Sequence, residues 1–280
     1  MVEECYNFVS WGEWKLVRRS NVQKQERKPT LVKWVFKINQ EQDVTSQYKT
    51  RIVFRGFLQI PGVNFTGSFS PVACKTSIHV LIGTALYYKW EVKMFDVEAA
   101  FLNAQCENKT FVEWPEAAAK IGLASDKTMR EYCIMLEKAM YSTVDAALLW
   151  MKDFTKYLKS ISMKQSHSNP CVFYKQDNGK LTLILAVYVD NTLLAGTEEE
   201  KHWIYQNVTE KYSIFKLGRL CKHLGIWYNW KTDNNGKTYV KMTMPKLVDN
   251  TVAKYQELAK EDVKQASTPG TPGQILGKMG

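Results

Sequence analysis

The sequence is short of residues in metal-binding or redox arrangements. Its four histidines (His79, His167, His202, His223) and six cysteines (Cys5, Cys74, Cys106, Cys133, Cys171, Cys221) are scattered, and no CxxC pair occurs. That spacing excludes a zinc finger and a disulfide frame, and reads as reduced, mostly buried thiols in an intracellular protein. No apolar run is long enough to cross a bilayer, and the acidic start Met1-Val2-Glu3-Glu4-Cys5 is unlike a signal peptide, so no membrane partner is expected. No internal repeat is present. Acidic residues are the scarcer charge: 28 Asp and Glu face 38 Lys and Arg, giving a net charge of +10. Much of that excess lies between Lys15 and Arg55. Such a surface suits a polyanion, most commonly nucleic acid, and equally suits a merely basic soluble face. The aromatics interleaved there (Trp14, Trp34, Phe36, Tyr48, Phe54, Phe57) could stack on bases or fill a core.

What is present is enough for a folded protein. At 280 residues, 45% hydrophobic and 24% charged, the chain can bury one large core or two modest ones. Residues 1–30 are polar and poorly periodic. Leu31–Ile38 and Tyr48–Phe57 read as a hairpin across the polar connector Asn39–Ser46, and Gln59–Val72 reads as a loop. Ile78, Leu81, Ile82, Ala85 and Leu86 recur at helical spacing, and a strand ending in Asp96 follows. Asp145 is placed to cap a helix carrying Trp150, Phe154, Leu158 and Ile161. Pro170–Lys175 turns through Asp177-Asn178-Gly179 into the long strand Leu181–Val189, and Thr192–Gly196 forms the next one. Thr197-Glu198-Glu199-Glu200 is a capping-box start of a helix. Gly225–Lys231 and Lys237–Met242 form a further hairpin, and Pro245 opens an amphipathic helix to Leu258. The order is α+β.

Two carboxylates stand at strand ends. Asp190, with Asn191, occupies the expected turn between the Leu181–Val189 and Thr192–Gly196 strands, because both residues tolerate positive φ. An ordinary hairpin turn satisfies that pattern too. Asp96, in Met94-Phe95-Asp96-Val97, makes the setting less ordinary. Two carboxylates at neighbouring strand ends can hold two divalent cations, one lowering the pKa of an attacking hydroxyl and the other stabilising a leaving pyrophosphate. Mg²⁺ suits hard oxygen ligands shared with substrate phosphates. Lys and Arg from the basic segment could neutralise a triphosphate.

Several ordered blocks carry a resemblance: Trp34-Val35-Phe36-Lys37, Tyr48 to Phe57, Phe69-Ser70-Pro71-Val72, Phe95 to Asn103, Asn169-Pro170-Cys171, Tyr188-Val189-Asp190-Asn191 and Leu224-Gly225-Ile226. From about Trp34 to about Leu258 the chain resembles the reverse transcriptase domain of copia-type LTR retrotransposons, part of a pseudoviral Pol polyprotein. The resemblance implies an α+β fingers–palm–thumb polymerase with a ferredoxin-like antiparallel palm sheet. It implies fingers and palm over 29–243, the start of a thumb or connection helix over 244–265, and a flexible Pro/Gly linker over 266–280. Residues 1–28 would be a polar N-terminal extension.

By the same resemblance, Asp96, Asp190 and Asn191 occupy the catalytic positions, and Asp96, Asp190 and the Val97 backbone would hold two Mg²⁺ ions, with Mn²⁺ as a substitute. Lys49, Arg51, Arg55, Ala99, Ala100 and Phe101 fall where the family binds the incoming dNTP. Arg51 is the first choice among the cations, and Phe101 is placed as a gate against the ribose 2′-hydroxyl or as a core aromatic. Tyr188, Val189, Leu224, Gly225 and Ile226 fall at the primer–template. Implied partners are an RNA template, a DNA primer and dNTPs, with ribonuclease H, integrase and protease segments completing an intact element. The implied location is cytoplasmic, in a virus-like particle for an intact element, or nuclear.

Two positions depart from the family's pattern. The family's Tyr-Val-Asp-Asp box ends in a second Asp where this chain has Asn191. An amide oxygen can coordinate Mg²⁺ but adds no charge, which leaves two formal carboxylates in place of three. The expectation is a polymerase slowed by orders of magnitude, or a relic that binds nucleic acid without turnover. A two-metal nuclease would use the same ligands. The second departure is Ser142, after Tyr141, where the family commonly carries Gly.

Overall fold

Every named strand pair among the described residues is antiparallel. The computed structural model describes residues 14–23, 28–41, 44–116 and 118–260. It divides into one unit running to Arg219 and a second beginning at Leu220. The antiparallel mixture of strands and helices agrees with the α+β order read from the sequence. The 266–280 linker lies outside the described residues.

In the first unit, β1 (Trp14–Arg18) leads into α1 (Arg19–Gln23), β2 (Val32–Glu41) and β3 (Val44–Phe54), and a 3₁₀ turn covers Gly56–Leu58. Then come α2 (Lys75–Tyr88), β4 (Val92–Val97), α3 (Ala100–Asn103), β5 (Gln105–Val112), α4 (Asp126–Glu131) and β6 (Tyr132–Lys138). The unit continues through α5 (Ala146–Ser160), β7 (Lys164–Gln165), β8 (Val172–Asp177), β9 (Lys180–Tyr188), β10 (Asn191–Gly196), α6 (Glu198–Lys211) and β11 (Ile214–Arg219). A six-stranded sheet has the order β11-β4-β10-β9-β8-β7, a three-stranded sheet the order β1-β6-β5, and β2 pairs β3 alone.

The large sheet is the frame. Leu183 to Val187 in β9 are all buried, and since side chains alternate along a strand, both faces must be covered. Helices α2 and α6 each contact β9 and β10. In β4, Phe95 and Val97 are 0% and 1% exposed, and Phe95 meets Tyr205 of α6 edge-on at 5.9 Å. Burying a side chain of that size contributes about 1.5–3 kcal/mol, so the strand that carries Asp96 is fixed by its neighbours. Asp96, lying between them, faces the opposite side of the sheet. The β2–β3 hairpin contributes Ile52 and Phe54 to a separate core with Val112, Ile134, Leu136 and Met140.

Several expectations change. Residues 14–23, read as aperiodic, form β1 and α1, with β1 held by pairing to β6. The β2–β3 strands are longer than their apolar cores, because backbone pairing runs on through polar residues and leaves a shorter connector. Nothing in the periodicity marked β5, α4 or β6. Asp145 does sit at the N-cap of α5, but in a helical conformation with no side-chain cap bond. Burial pushes its carboxyl above the usual range. Thr197 caps α6 as expected, accepting from the Glu200 N–H at 3.3 Å. The five described cysteines are free, with Cys133 and Cys171 buried and Cys74 and Cys221 exposed, so the expectation of mostly buried thiols holds only in part.

The second unit pairs β12 (Lys222–His223), β13 (Ile226–Thr232) and β14 (Thr238–Thr243), followed by α7 (Pro245–Ala259), which Pro245 opens at its first turn. No helix among the described residues is long and apolar enough to cross a membrane.

Candidate functional site

Asp96 and Asn191 are direct partners across the β4–β10 pair. Opposed residues on antiparallel strands put their side chains on one face, so these two share the face away from Phe95. Asp190 precedes Asn191 in the β9–β10 turn, and its carbonyl accepts from the Val97 N–H at 2.9 Å. The sheet therefore joins the two strand ends singled out in the sequence. Asp96, Asp190 and Asn191 are all half-buried, open enough to meet a ligand.

The turn sits one residue earlier than expected. Tyr188 pairs with Asn191, so the two loop residues are Val189 and Asp190, and Asn191 is already in β10. The positive φ falls on Val189, at 57°. A β-branched residue is a genuine outlier there, at a cost of order 1–3 kcal/mol. The Val189 carbonyl accepts from the buried Trp150 indole at 2.7 Å. Asn191 turns its amide nitrogen toward Asp190, donating to Oδ1 at 3.0 Å. An aspartate at 191 has no such proton to give.

The turn after β4 is equally shaped. Ala99 is left-handed at φ 48°, and the Asn103 amide clamps it by donating to the carbonyls of Glu98 at 3.2 Å and Ala99 at 3.3 Å. Ala100 is buried. Phe101 is half-buried and meets Tyr141 edge-on at 5.7 Å. The exposed Arg51 guanidinium lies over the other aromatic partner of this contact, 5.2 Å from the Tyr141 centroid. A cation over an aromatic face is attracted by the ring quadrupole, so Tyr141 links Arg51 to Phe101. The Arg55 N–H donates to Leu31. Lys49 pairs with Lys37 in the β2–β3 ladder, and its side chain lies outside the described residues. Glu98 accepts from the Ser213 hydroxyl at 2.7 Å.

For a cation, the donors gathered here are hard oxygens: the carboxylates of Asp96 and Asp190, the Asn191 amide and the Val97 backbone. That set fits Mg²⁺ or Mn²⁺. Among the described residues no group of three or more His, Cys, Asp or Glu side chains forms a metal cluster.

The family described as reverse transcriptase (RNA-dependent DNA polymerase) matches residues 12–264. The chain belongs to that family. Among curated proteins it is 32% identical over 200 residues to the retrovirus-related Pol polyprotein from transposon TNT 1-94 of Nicotiana tabacum, covering 71% of this chain and 14% of that protein. It is 30% identical over 196 residues to the Pol polyprotein from transposon RE1 of Arabidopsis thaliana, covering 69% of this chain and 13% of that protein. This chain thus spans about one seventh of the relatives' length or less. The copia-type resemblance read from the ordered blocks is borne out.

In a reverse transcriptase of this family, a glycine after Tyr141 has a physical reason. Ser142 is left-handed at φ 69°, a conformation glycine adopts without cost. Its carbonyl also fills the space where a Cβ on Gly56 would have to go. The Arg55–Gly56 corner and the Tyr141–Ser142 corner are packed backbone to backbone, supported by the Phe54 N–H donating to the Tyr141 carbonyl at 2.9 Å. Sequence reasoning gave Tyr141, Trp150 and Asn103 no part in the site. An aromatic or amide at helical spacing carries no signal of what it bonds. Leu224, Gly225 and Ile226 lie in the second unit, where Leu224 and Gly225 (φ 50° and 79°) form the β12–β13 turn and Ile226 is buried.

Proposed function

We propose that this chain is the RNA-directed DNA polymerase domain of a copia-type Pol polyprotein, joining a dNTP to a primer 3′-hydroxyl on an RNA template. The observation that carries the reading is the register of Asn191 on Asp96. It sets Asp190 beside the second carboxylate at the end of a sheet whose core is fully buried. In this reading the six-stranded sheet is the palm, the β2–β3 hairpin belongs to the fingers, and the helix from Pro245 begins the thumb.

In the reaction, the primer oxygen bonds to the α-phosphorus as the bond to pyrophosphate breaks, and the hydroxyl proton leaves to solvent. Asp96 and Asp190, with the Val97 backbone, would hold the divalent cations. When bound, these lower the pKa of the primer hydroxyl and stabilise the leaving pyrophosphate. Arg51, with Lys49 and Arg55 on or next to the same strand, neutralises the triphosphate. The Ala99–Ala100 backbone approaches it where no large side chain intervenes. Phe101 closes against the sugar, and Tyr141 backs it. Tyr188 and Val189 face the primer end, and Leu224-Gly225-Ile226 supports the primer strand. The net charge of +10 draws the nucleic acid and makes binding salt-dependent. In an intact element the other Pol segments would act alongside this domain, in a cytoplasmic virus-like particle or in the nucleus.

The contact between Asn191 and Asp190 favours a second reading, in which the chain binds primer–template but turns over slowly or not at all. The amide proton occupies an oxygen of Asp190 and brings no charge of its own. Primer extension on an RNA template, with Asp96→Ala alongside, tests the first reading. Extension by the wild type and none by the variant is expected. Equal signal from both removes Asp96 from the chemistry and the reading with it.

A further inference from the structure

We propose that Trp150 is a positioning residue for Asp190: its indole N–H pins the Val189–Asp190 peptide in the orientation that presents the Asp190 carboxylate beside Asp96. The chemistry it serves rests on the polymerase reading above. The positioning itself rests on geometry.

Val189 is the weak point of the turn. At φ 57° its branched side chain crowds its own backbone, and the strain can be relieved by rotation about its N–Cα bond, which swings its carbonyl and the peptide leading to Asp190. Two hydrogen bonds oppose that rotation. The Val189 carbonyl accepts from Trp150 Nε1 at 2.7 Å, and the next carbonyl, of Asp190, accepts from the Val97 N–H at 2.9 Å. With the peptide planes on both sides of its Cα fixed, Asp190 can aim its side chain only over a narrow range.

The donor is itself immobile. Trp150 is 1% exposed. Its ring stacks on Phe154 at 4.9 Å and 17°, and meets Tyr212 edge-on at 5.3 Å and 84°. Tyr212 is anchored in turn, donating to Asp153 Oδ2 at 2.8 Å. Trp150, Asp153 and Phe154 all belong to α5, so one helix supplies the donor, its stacking partner and the anchor of its edge partner. A Trp that only filled the core would be indifferent to the residue at 189. A Trp that holds a strained turn depends on that residue.

Trp150→Phe keeps a buried ring and removes the donor. It is made in the full chain and again together with Asn191→Asp, which restores the family's charge set. The kcat of primer extension is expected to fall by about 10²-fold, the scale of an ångström-sized misplacement, with the KM for dNTP little changed. Hydrogen exchange at the Val97 amide is expected to accelerate by roughly tenfold while amides within β8 and β9 keep their protection. Adding Val189→Asn, which accepts positive φ, is expected to restore the protection of the Val97 amide. Unchanged kcat and Val97 exchange in Trp150→Phe, loss of kcat without faster exchange, or no restoration by Val189→Asn each overturns the proposal. If neither the wild type nor Asn191→Asp extends a primer, the polymerase reading fails separately. Val97 exchange needs no turnover and then decides the positioning role alone.

Discussion

Strand β9 ends in a two-residue turn on each side, and the two turns are opposites. At its start, Asn178 and Gly179 carry φ 48° and 79° between the partners Asp177 and Lys180. Both residue types accept that conformation, and a Cβ on Gly179 would meet nothing within 4 Å. At its end, Val189 and Asp190 close the loop between Tyr188 and Asn191, and the positive φ falls on a valine. The first turn is stable through its own residues. The second is held from outside, by Trp150 and Val97. Strain of this kind persists only where the surroundings over-determine it, and here the strained end is the one that carries the candidate metal ligand.

Substitutions at the two ends can break or sharpen that contrast. The largest effect is expected for Asp190→Ala, which lowers single-turnover extension by at least about 10³-fold through loss of a metal ligand. Asn178→Ala at the other end leaves the rate within error. Next is Tyr141→Ala, which frees Phe101 and Arg51 from their shared ring. Its discrimination between dNTP and rNTP, measured as the ratio of kcat/KM values, is expected to drop about tenfold, a change of roughly 1.4 kcal/mol. The smallest effects are on stability. Gly179→Val forces a branched residue into positive φ and is expected to cost about 1–2 kcal/mol in urea unfolding. Val189→Asn relieves the same kind of strain and is expected to gain up to about 1 kcal/mol. Equal responses at the two ends would erase the distinction between a relaxed and a strained turn.

The contrast also marks what the residues disclose. Asp177-Asn178-Gly179 and the Thr197–Glu200 cap were legible because each residue type has a local reason to be there. The long apolar runs located β9 and β10 for the same reason. The turn at Val189 was displaced by one residue in the sequence reading, since Asp190-Asn191 is the better local turn and only the pairing of Tyr188 with Asn191 excludes it. Strands β5 and β6 were illegible because their burial comes from partners far along the chain, Trp14 and Ile52 among them. Asp96 and Asp190 were found as strand-end carboxylates and through the ordered family blocks. Trp150 and Tyr141 were not, because their contacts join residues distant in sequence.

In the proposed reading, Asp96 and Asp190 form a polymerase centre one carboxylate short at Asn191. Its most direct test is the single-turnover rate of primer extension by the wild type beside Asn191→Asp at equal Mg²⁺. Exchanging the amide that bonds Asp190 at 3.0 Å for a charged ligand is expected to raise the rate by about 10–10³-fold, the scale of one strong electrostatic contact to a reacting centre. An unchanged or lower rate in Asn191→Asp would contradict the account.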